Sequence, residues 1–263
     1  MGMAAGKGTP ERPASPSADR VLTVLETLVA AEGGLTLTAL AKATDISLAT
    51  CASVVYTLEQ RGYAARRVVG RSHFWRPTMR LYDLGASLVR QGDLAGIAGP
   101  HLRVLADELK MPAHAGVLDG ASVVYVAKAA TSGFIQFDTY PGKVSPFNLT
   151  ALGRAIAAHL PEADLEPLLS RLTPGTGPKA KRPTPRAFRA QLAKVRQAGY
   201  AVEDEEEEAG IACVAAPVFN AEGRVVGSIG VTGFSRELVK RRLATAAGLV
   251  VGQAGEISAG LGF

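Results

Sequence analysis

Three helix-length amphipathic segments followed at once by two extended runs fill residues 19 to 76, and few folds are open to a chain with that order. In the first segment Val21, Leu25, Leu28 and Val29 recur at helical spacing, and Gly33-Gly34 stops it. Thr36 is placed to cap a second, short helix whose apolar stripe is Leu37, Leu40 and Ala41. A tight connection at Thr44-Asp45-Ile46 leads to Ser47, a cap for a third helix with Cys51, Val54, Val55 and Leu58 on its buried side. Gly62 ends that helix, as glycine does just past a helix C-terminus. The runs Tyr63 to Val68 and Arg71 to Arg76, around Val69-Gly70, read as a hairpin. Three helices closed by a hairpin make a winged helix-turn-helix, expected over residues 18–78.

Charge gives this unit a partner. Residues 61 to 80 hold Arg61, Arg66, Arg67, Arg71, Arg76 and Arg80 and no Asp or Glu. The whole chain carries a formal net charge of +5, a much weaker signal than this local, acid-free cluster. Arginine reaches phosphates and narrow minor grooves, which makes double-stranded DNA the expected partner. Ser47, Thr50, Ser53, Tyr56 and Thr57 lie on the exposed side of the third helix, where a helix docked in the major groove presents its N-terminal side chains to base edges. Arg66, Arg67, Arg71 and Arg76 are the candidate backbone contacts. A plain solvated surface is the alternative for both groups.

With 263 residues the chain is long enough for a second domain. Residues 1–17, rich in Gly, Ala, Pro and Ser, read as a disordered tail. An amphipathic helix from Thr78 to Gln91, carrying Leu81, Leu84 and Leu88, and a further helix from Leu94 to Lys110, burying Ile97, Leu102, Leu105 and Leu109, form the connector; a linker helix is assigned to residues 79–98. Residues 99–263 read as an α/β domain. Strands are expected at 114–118, 122–129, 134–139, 200–204, 212–219 and 225–232, and helices at 151–160, 162–172, from Thr184-Pro185, and from about Arg236 to the end. The fold class is therefore α+β, with an antiparallel sheet in the second domain.

Several chemistries find no support. The two cysteines, Cys51 and Cys213, make neither a disulfide framework nor a zinc site, and a cytoplasmic home is expected. No apolar run is long enough to span a bilayer, so no membrane partner is expected. His73, His101, His114 and His159 are scattered, and there is no Cys-x-x-Cys, phosphate-binding glycine loop or Gly-x-Ser-x-Gly elbow. Neither a catalytic set, a metal nor a cofactor is expected. The acidic run Glu203 to Glu208 suggests a metal site, but successive carboxylates on a strand point to opposite faces and do not converge on one ion, so it reads as a solvated edge. The basic stretch Lys179, Lys181, Arg182, Arg186 and Arg189 reads as a mobile surface loop.

Three stretches then carry a resemblance: Leu35-Thr36-Leu37 through the third helix to Arg61-Gly62-Tyr63; Thr150-Ala151-Leu152-Gly153-Arg154-Ala155; and Gly199-Tyr200-Ala201-Val202-Glu203-Asp204-Glu205-Glu206, continuing from Gly210 to Pro217. In this order and spacing the chain, from about Asp19 to its end, resembles the IclR type of bacterial transcriptional regulator. The resemblance implies a C-terminal effector-binding domain of GAF-like fold, a homodimer or dimer of dimers, and a pseudo-palindromic operator. The function it implies is ligand-responsive control of a catabolic operon by a small organic acid, aromatic ones included. It places the effector around Ala151, Leu152, Gly153, Glu203, Ile211, Cys213, Gly230 and Thr232. Two departures stand out. Leu48, Ala49, Ala52 and Ser53 stand where such regulators commonly carry Lys, Ser, His or Arg, and Gly230 and Thr232 stand where they often offer two serines. Gly230 is expected to leave volume for a bulkier acid. Two other readings remain open: an enzyme built on the α/β domain, and a regulator that binds no ligand.

Overall fold

The computed structural model describes residues 13–91, 94–131, 137–181 and 183–263. It divides into two compact units, residues 1–87 and 88–263.

In the first unit, α1 (Pro16–Ala30), α2 (Leu37–Thr44) and α3 (Leu48–Gln60) precede a two-stranded antiparallel sheet, β1 (Ala64–Val69) and β2 (Ser72–Pro77). The caps are those the side chains dictate. Thr36 accepts from the Ala39 amide and Ser47 from the Thr50 amide. The core is Val24, Leu28, Leu40, Cys51, Val54, Val55, Leu58 and Ala64 around a fully buried Trp75. An aromatic buried this completely is worth about 3–5 kcal/mol against alanine.

Three expectations shift here. α1 starts at Pro16, capped by Ser15, so the helix takes the end of the expected tail; residues 1–12 of that tail lie outside the described residues. Val29 is exposed, because the stripe that faces the core runs through Val24 and Leu28 instead. The hairpin turns one residue later than expected, at Gly70-Arg71: Val69 pairs with Ser72, and Gly70 supplies the positive φ of 61° that the turn needs.

The connector is two elements, α4 (Arg80–Gln91) and α5 (Leu94–Leu109). The two helices stand where the sequence places them, and Leu94 and Ala98 of α5, within the residues assigned to the linker, belong to the core of the second unit.

That unit holds β3 (Ala113–Asp119), β4 (Ser122–Ala129), β5 (Val144–Pro146), α6 (Ala151–Ala157), α7 (Glu162–Leu169), α8 (Pro185–Ala198), β6 (Ala201–Asp204), β7 (Ile211–Phe219), β8 (Val225–Phe234), α9 (Ser235–Arg241) and α10 (Leu243–Gly260). The strands form one antiparallel sheet in the order β5-β4-β3-β8-β7-β6. Both faces are covered. Val214, Ala216, Val218, Ile229 and Val231 meet Leu102, Leu105 and Leu109 of α5 and Val250 and Ile257 of α10. The alternate residues Ala201 and Ala215, with Tyr125 and Val123, meet α6, α7 and α8.

The short strand β5 was not foreseen, since three residues carry almost no periodicity. The strand expected at 134–139 lies largely outside the described residues, and Phe137 to Thr139 are not in a strand. The closing helix is two, α9 and α10, separated at Arg242.

Candidate functional site

On α3, Cys51, Val54, Val55 and Leu58 face the core, so helical periodicity turns Ser53, Tyr56 and Thr57 outward, with Thr50 half-buried. Most hydroxyls here are engaged locally. Ser47 and Thr50 share a bond of 2.9 Å, and Thr57 donates to the Ser53 carbonyl at 2.9 Å. Tyr56 sets its ring against the edge of Trp75, centroids 5.2 Å apart. Arg66, Arg67, Arg71 and Arg76 are all exposed on the hairpin. Arg66 is not free, however. Its guanidinium lies 5.7 Å from the Trp75 ring centroid and 3.9 Å from Glu59, an acid that α3 brings to the hairpin from outside the acid-free run.

In the second unit, Ala151, Leu152, Cys213, Gly230 and Thr232 line one small cavity between α6 and the sheet. His114, Tyr125 and Thr150 line it too, and sequence reasoning missed them. The cavity is about 10 Å³, roughly one water. Strand register explains the convergence: Glu203 pairs with Cys213 and Cys213 with Thr232, a row across β6, β7 and β8. The Cys213 thiol and Thr232 hydroxyl are 3.2 Å apart. Glu203 is buried in this row but does not line the cavity, nor do the buried Gly153 of α6 and the half-buried Ile211. The Glu203 carboxylate accepts from the amides of Glu206 and Glu207, yet burial outweighs those bonds and raises its pKa to about 7. Burial likewise pushes the Cys213 thiol up to about 12. His114 is 2 % exposed, stacks edge-on against Tyr125 and shares a 2.7 Å bond with Thr139. Burial, then the fields of Lys128 and Lys143, drop it to about 3, so it is neutral.

Two expectations about this cavity are corrected. Gly230 does not leave volume: a Cβ there meets the Val214 carbonyl at 2.4 Å and the Ala215 Cβ at 2.8 Å, so the glycine is needed for β7 and β8 to approach. Gly153 is one of the positions where the resemblance puts the effector, yet its amide already donates to the Thr150 hydroxyl at 2.9 Å.

The acidic run is a solvated edge only in part: Glu207 and Glu208 are exposed, the others are held. Glu203 is buried, and Arg154, 1 % exposed, holds Glu206. Lys179 pairs with Asp204 and Glu205 at 2.5 and 3.0 Å. The basic loop is thereby anchored: Gly177 and Lys179 donate backbone bonds to the carbonyls of Glu206 and Glu205, and Arg189 pairs with Glu162 and Glu166. Arg182 lies outside the described residues. A larger cleft of about 840 Å³ opens beside α8; of its charged lining, Arg154, Lys179, Asp204 and Glu206 are paired with the protein itself, and Lys181 and Lys194 complete it. Among the described residues no cluster of His, Cys, Asp or Glu is arranged to hold a metal, and no helix is long and apolar enough to cross a membrane.

A winged helix joined to an α/β domain with a cavity under one helix defines a class of transcriptional regulator. Residues 17–67 match the model of the IclR helix-turn-helix domain, and residues 86–259 match that of the bacterial transcriptional regulator IclR C-terminal domain. The chain belongs to the IclR family of bacterial transcriptional regulators. It is 30 % identical over 260 residues to the regulator BhcR of Paracoccus denitrificans, covering 99 % of this chain and 92 % of that one. It is 25 % identical to the repressor IclR of Escherichia coli, covering 94 % and 90 %. The solved IclR structure of Thermotoga maritima superposes with a TM-score of 0.79 at 26 % identity, covering 94 % of this chain and 98 % of that one.

Proposed function

We propose that this regulator, a cytoplasmic homodimer or dimer of dimers, binds a pseudo-palindromic operator with α3 in the major groove and the hairpin on the backbone. The observation that carries this is the pairing of an outward α3 face with a hairpin exposing Arg67, Arg71 and Arg76 and containing no acid. Half-sites then lie about one helical turn, or a multiple, apart. It acts by binding, without catalysis, and controls catabolic genes. Footprinting of the upstream DNA tests this: two symmetric protected half-sites are expected, and one asymmetric half-site that persists at high protein concentration refutes it.

The effector of this proposal is a small organic acid held at the cavity of Leu152, Cys213 and Thr232. Lys128 and Lys143 supply a positive field on the His114 side. Glu203, with its pKa near 7, is largely neutral at slightly acid pH and then does not repel an anion. An IclR homolog of Microbacterium hydrocarbonoxydans was crystallised with 4-hydroxybenzoate, and an acid of that size is within the proposed class. At about 10 Å³ the cavity must open to admit one, and that opening is the conformational change passed to DNA. The cavity's size also favours a second reading, a regulator that needs no effector. Calorimetry with acetate, benzoate and 4-hydroxybenzoate separates them: binding of an aromatic acid that changes operator affinity supports the first, and no heat from any acid supports the second.

A further inference from the structure

We infer that Leu48 is a specificity-determining residue that reads thymine 5-methyl groups, so that the operator half-site presents a T·A pair to the leading end of α3. The inference rests on α3 being the recognition helix, as proposed above.

From Leu48 to Gln60, α3 contains no Lys, Arg or Asn, and its glutamine is the last residue. The leading two turns therefore lack the side chains that grip guanine or adenine with paired hydrogen bonds. The hydroxyls of Ser47 and Thr50 are spent on each other and on the helix cap. What α3 does offer at its tip is apolar. Leu48, its first residue, is 53 % exposed although it is a large aliphatic side chain, and Ala49 beside it is exposed as well. No cation at the tip holds the helix away from the bases, and small neighbours allow close approach.

The floor of the major groove has one apolar feature, the thymine methyl. Leucine gains by covering that methyl. Against guanine or cytosine it strips water from polar base edges and returns no hydrogen bond, which is unfavourable. One side chain thus discriminates in both directions without any donor or acceptor. The arginine hairpin supplies the affinity that such contacts lack, and its charge matches a duplex better than an apolar protein partner.

The test uses the full chain on a random duplex library. An enriched symmetric site with thymine at a fixed position of each half is expected. Deoxyuridine, which lacks only the methyl, is then placed at each thymine in turn. Affinity should fall about fourfold for the contacted methyl, the worth of one buried carbon. Leu48→Ala should bind the thymine and uracil duplexes equally, with its circular dichroism unchanged. Leu48→Arg should move the preferred pair from T·A to G·C. If no sequence is enriched, the recognition-helix reading itself fails. If a site is enriched but uracil is tolerated at every position, or Leu48→Ala keeps the discrimination, only the role of Leu48 is overturned.

Discussion

Arg154 and Glu206 meet as a two-pronged ion pair, Nη1 to Oε1 at 2.7 Å and Nη2 to Oε2 at 2.9 Å, across the gap between α6 and the turn after β6. The same guanidinium donates to the Asn148 and Val202 carbonyls, at 2.8 and 3.1 Å. A cation this buried is tolerable only because every side of it is bonded. Truncating it leaves Glu206 and two carbonyls without a donor. Arg154→Met should therefore cost about 3–5 kcal/mol, read as a lowered urea midpoint. Glu206 is partly exposed, so Glu206→Gln, which keeps an acceptor, should cost clearly less.

Glu203 makes stability depend on pH in a defined direction. Its folded pKa, about 7, lies above the ordinary 4.5, because burial penalises the carboxylate. Its contribution is fully present below pH 4.5 and is lost as pH rises through about 7, since the unfolded chain ionises first. Glu203→Gln cannot ionise. Relative to wild type it should gain on the order of 1–3 kcal/mol between pH 4.5 and 8. His114, neutral when buried, acts oppositely, its contribution fading as pH falls from 6.5 towards 3. Subtracting the variant's thermal melting curve from the wild type's at each pH isolates Glu203; a flat difference refutes the assignment.

Signals confined to one element were legible in the chain. The Thr36, Ser47 and Thr184 caps, the buried stripe of α3 and the strand β4 stand where periodicity and capping chemistry put them. The cavity was legible only in part. Ala151, Leu152 and Cys213 lie in motif stretches and the resemblance adds Gly230 and Thr232, but His114 and Tyr125 reach the same space through the register of β3 and β4, which no local pattern encodes. The role of Gly230 was misjudged for the same reason. Its meaning lies in the distance to Val214 and Ala215 on another strand. Arg154 stands in a motif stretch, yet its partner Glu206 lies 52 residues on, in a run whose local pattern reads as a solvated edge.

Gly230 gives a prediction opposite in sign to the expectation that the site has room. A Cβ there collides with backbone rather than with a movable side-chain tip. Gly230→Ser, which puts back a hydroxyl, should destabilise the second unit by about 1–3 kcal/mol through overpacking. It should not improve binding of any acid. Chemical denaturation with calorimetry checks both; a Gly230→Ser protein of unchanged stability would mean that β7 and β8 can part at this point.

The hairpin arginines should separate by how they are held. Arg71 is exposed at the turn and has no partner among the described residues, whereas Arg66 is tied to Glu59 and Trp75. A free arginine that meets a phosphate displaces a counterion. Arg71→Ala should thus lower the salt slope of binding by about one unit per subunit and weaken all sequences alike. Arg66→Ala should change the slope less and disturb the hairpin more. Fluorescence anisotropy with random and operator duplexes over a salt series checks this. A change in sequence preference at unaltered random-DNA affinity would assign base reading to Arg71 instead.

Thr232 carries the last prediction. Its hydroxyl lies on the cavity wall, 3.2 Å from the Cys213 thiol, and the thiol stays protonated because its pKa is pushed up to about 12. The pair therefore has hydrogens to offer and no negative charge, as an incoming carboxylate requires. Valine keeps the β-branching and strand preference of threonine and puts a methyl group in place of the hydroxyl. Thr232→Val should leave the melting temperature nearly unchanged while weakening an acid's binding by about 1–3 kcal/mol, the cost of an acceptor left unmet in a buried site. The loss should be the same for benzoate and 4-hydroxybenzoate, because both present the same carboxylate. Equal affinity of wild type and Thr232→Val for every acid tried would remove Thr232 from the effector site and leave the cavity as a packing detail of β7 and β8.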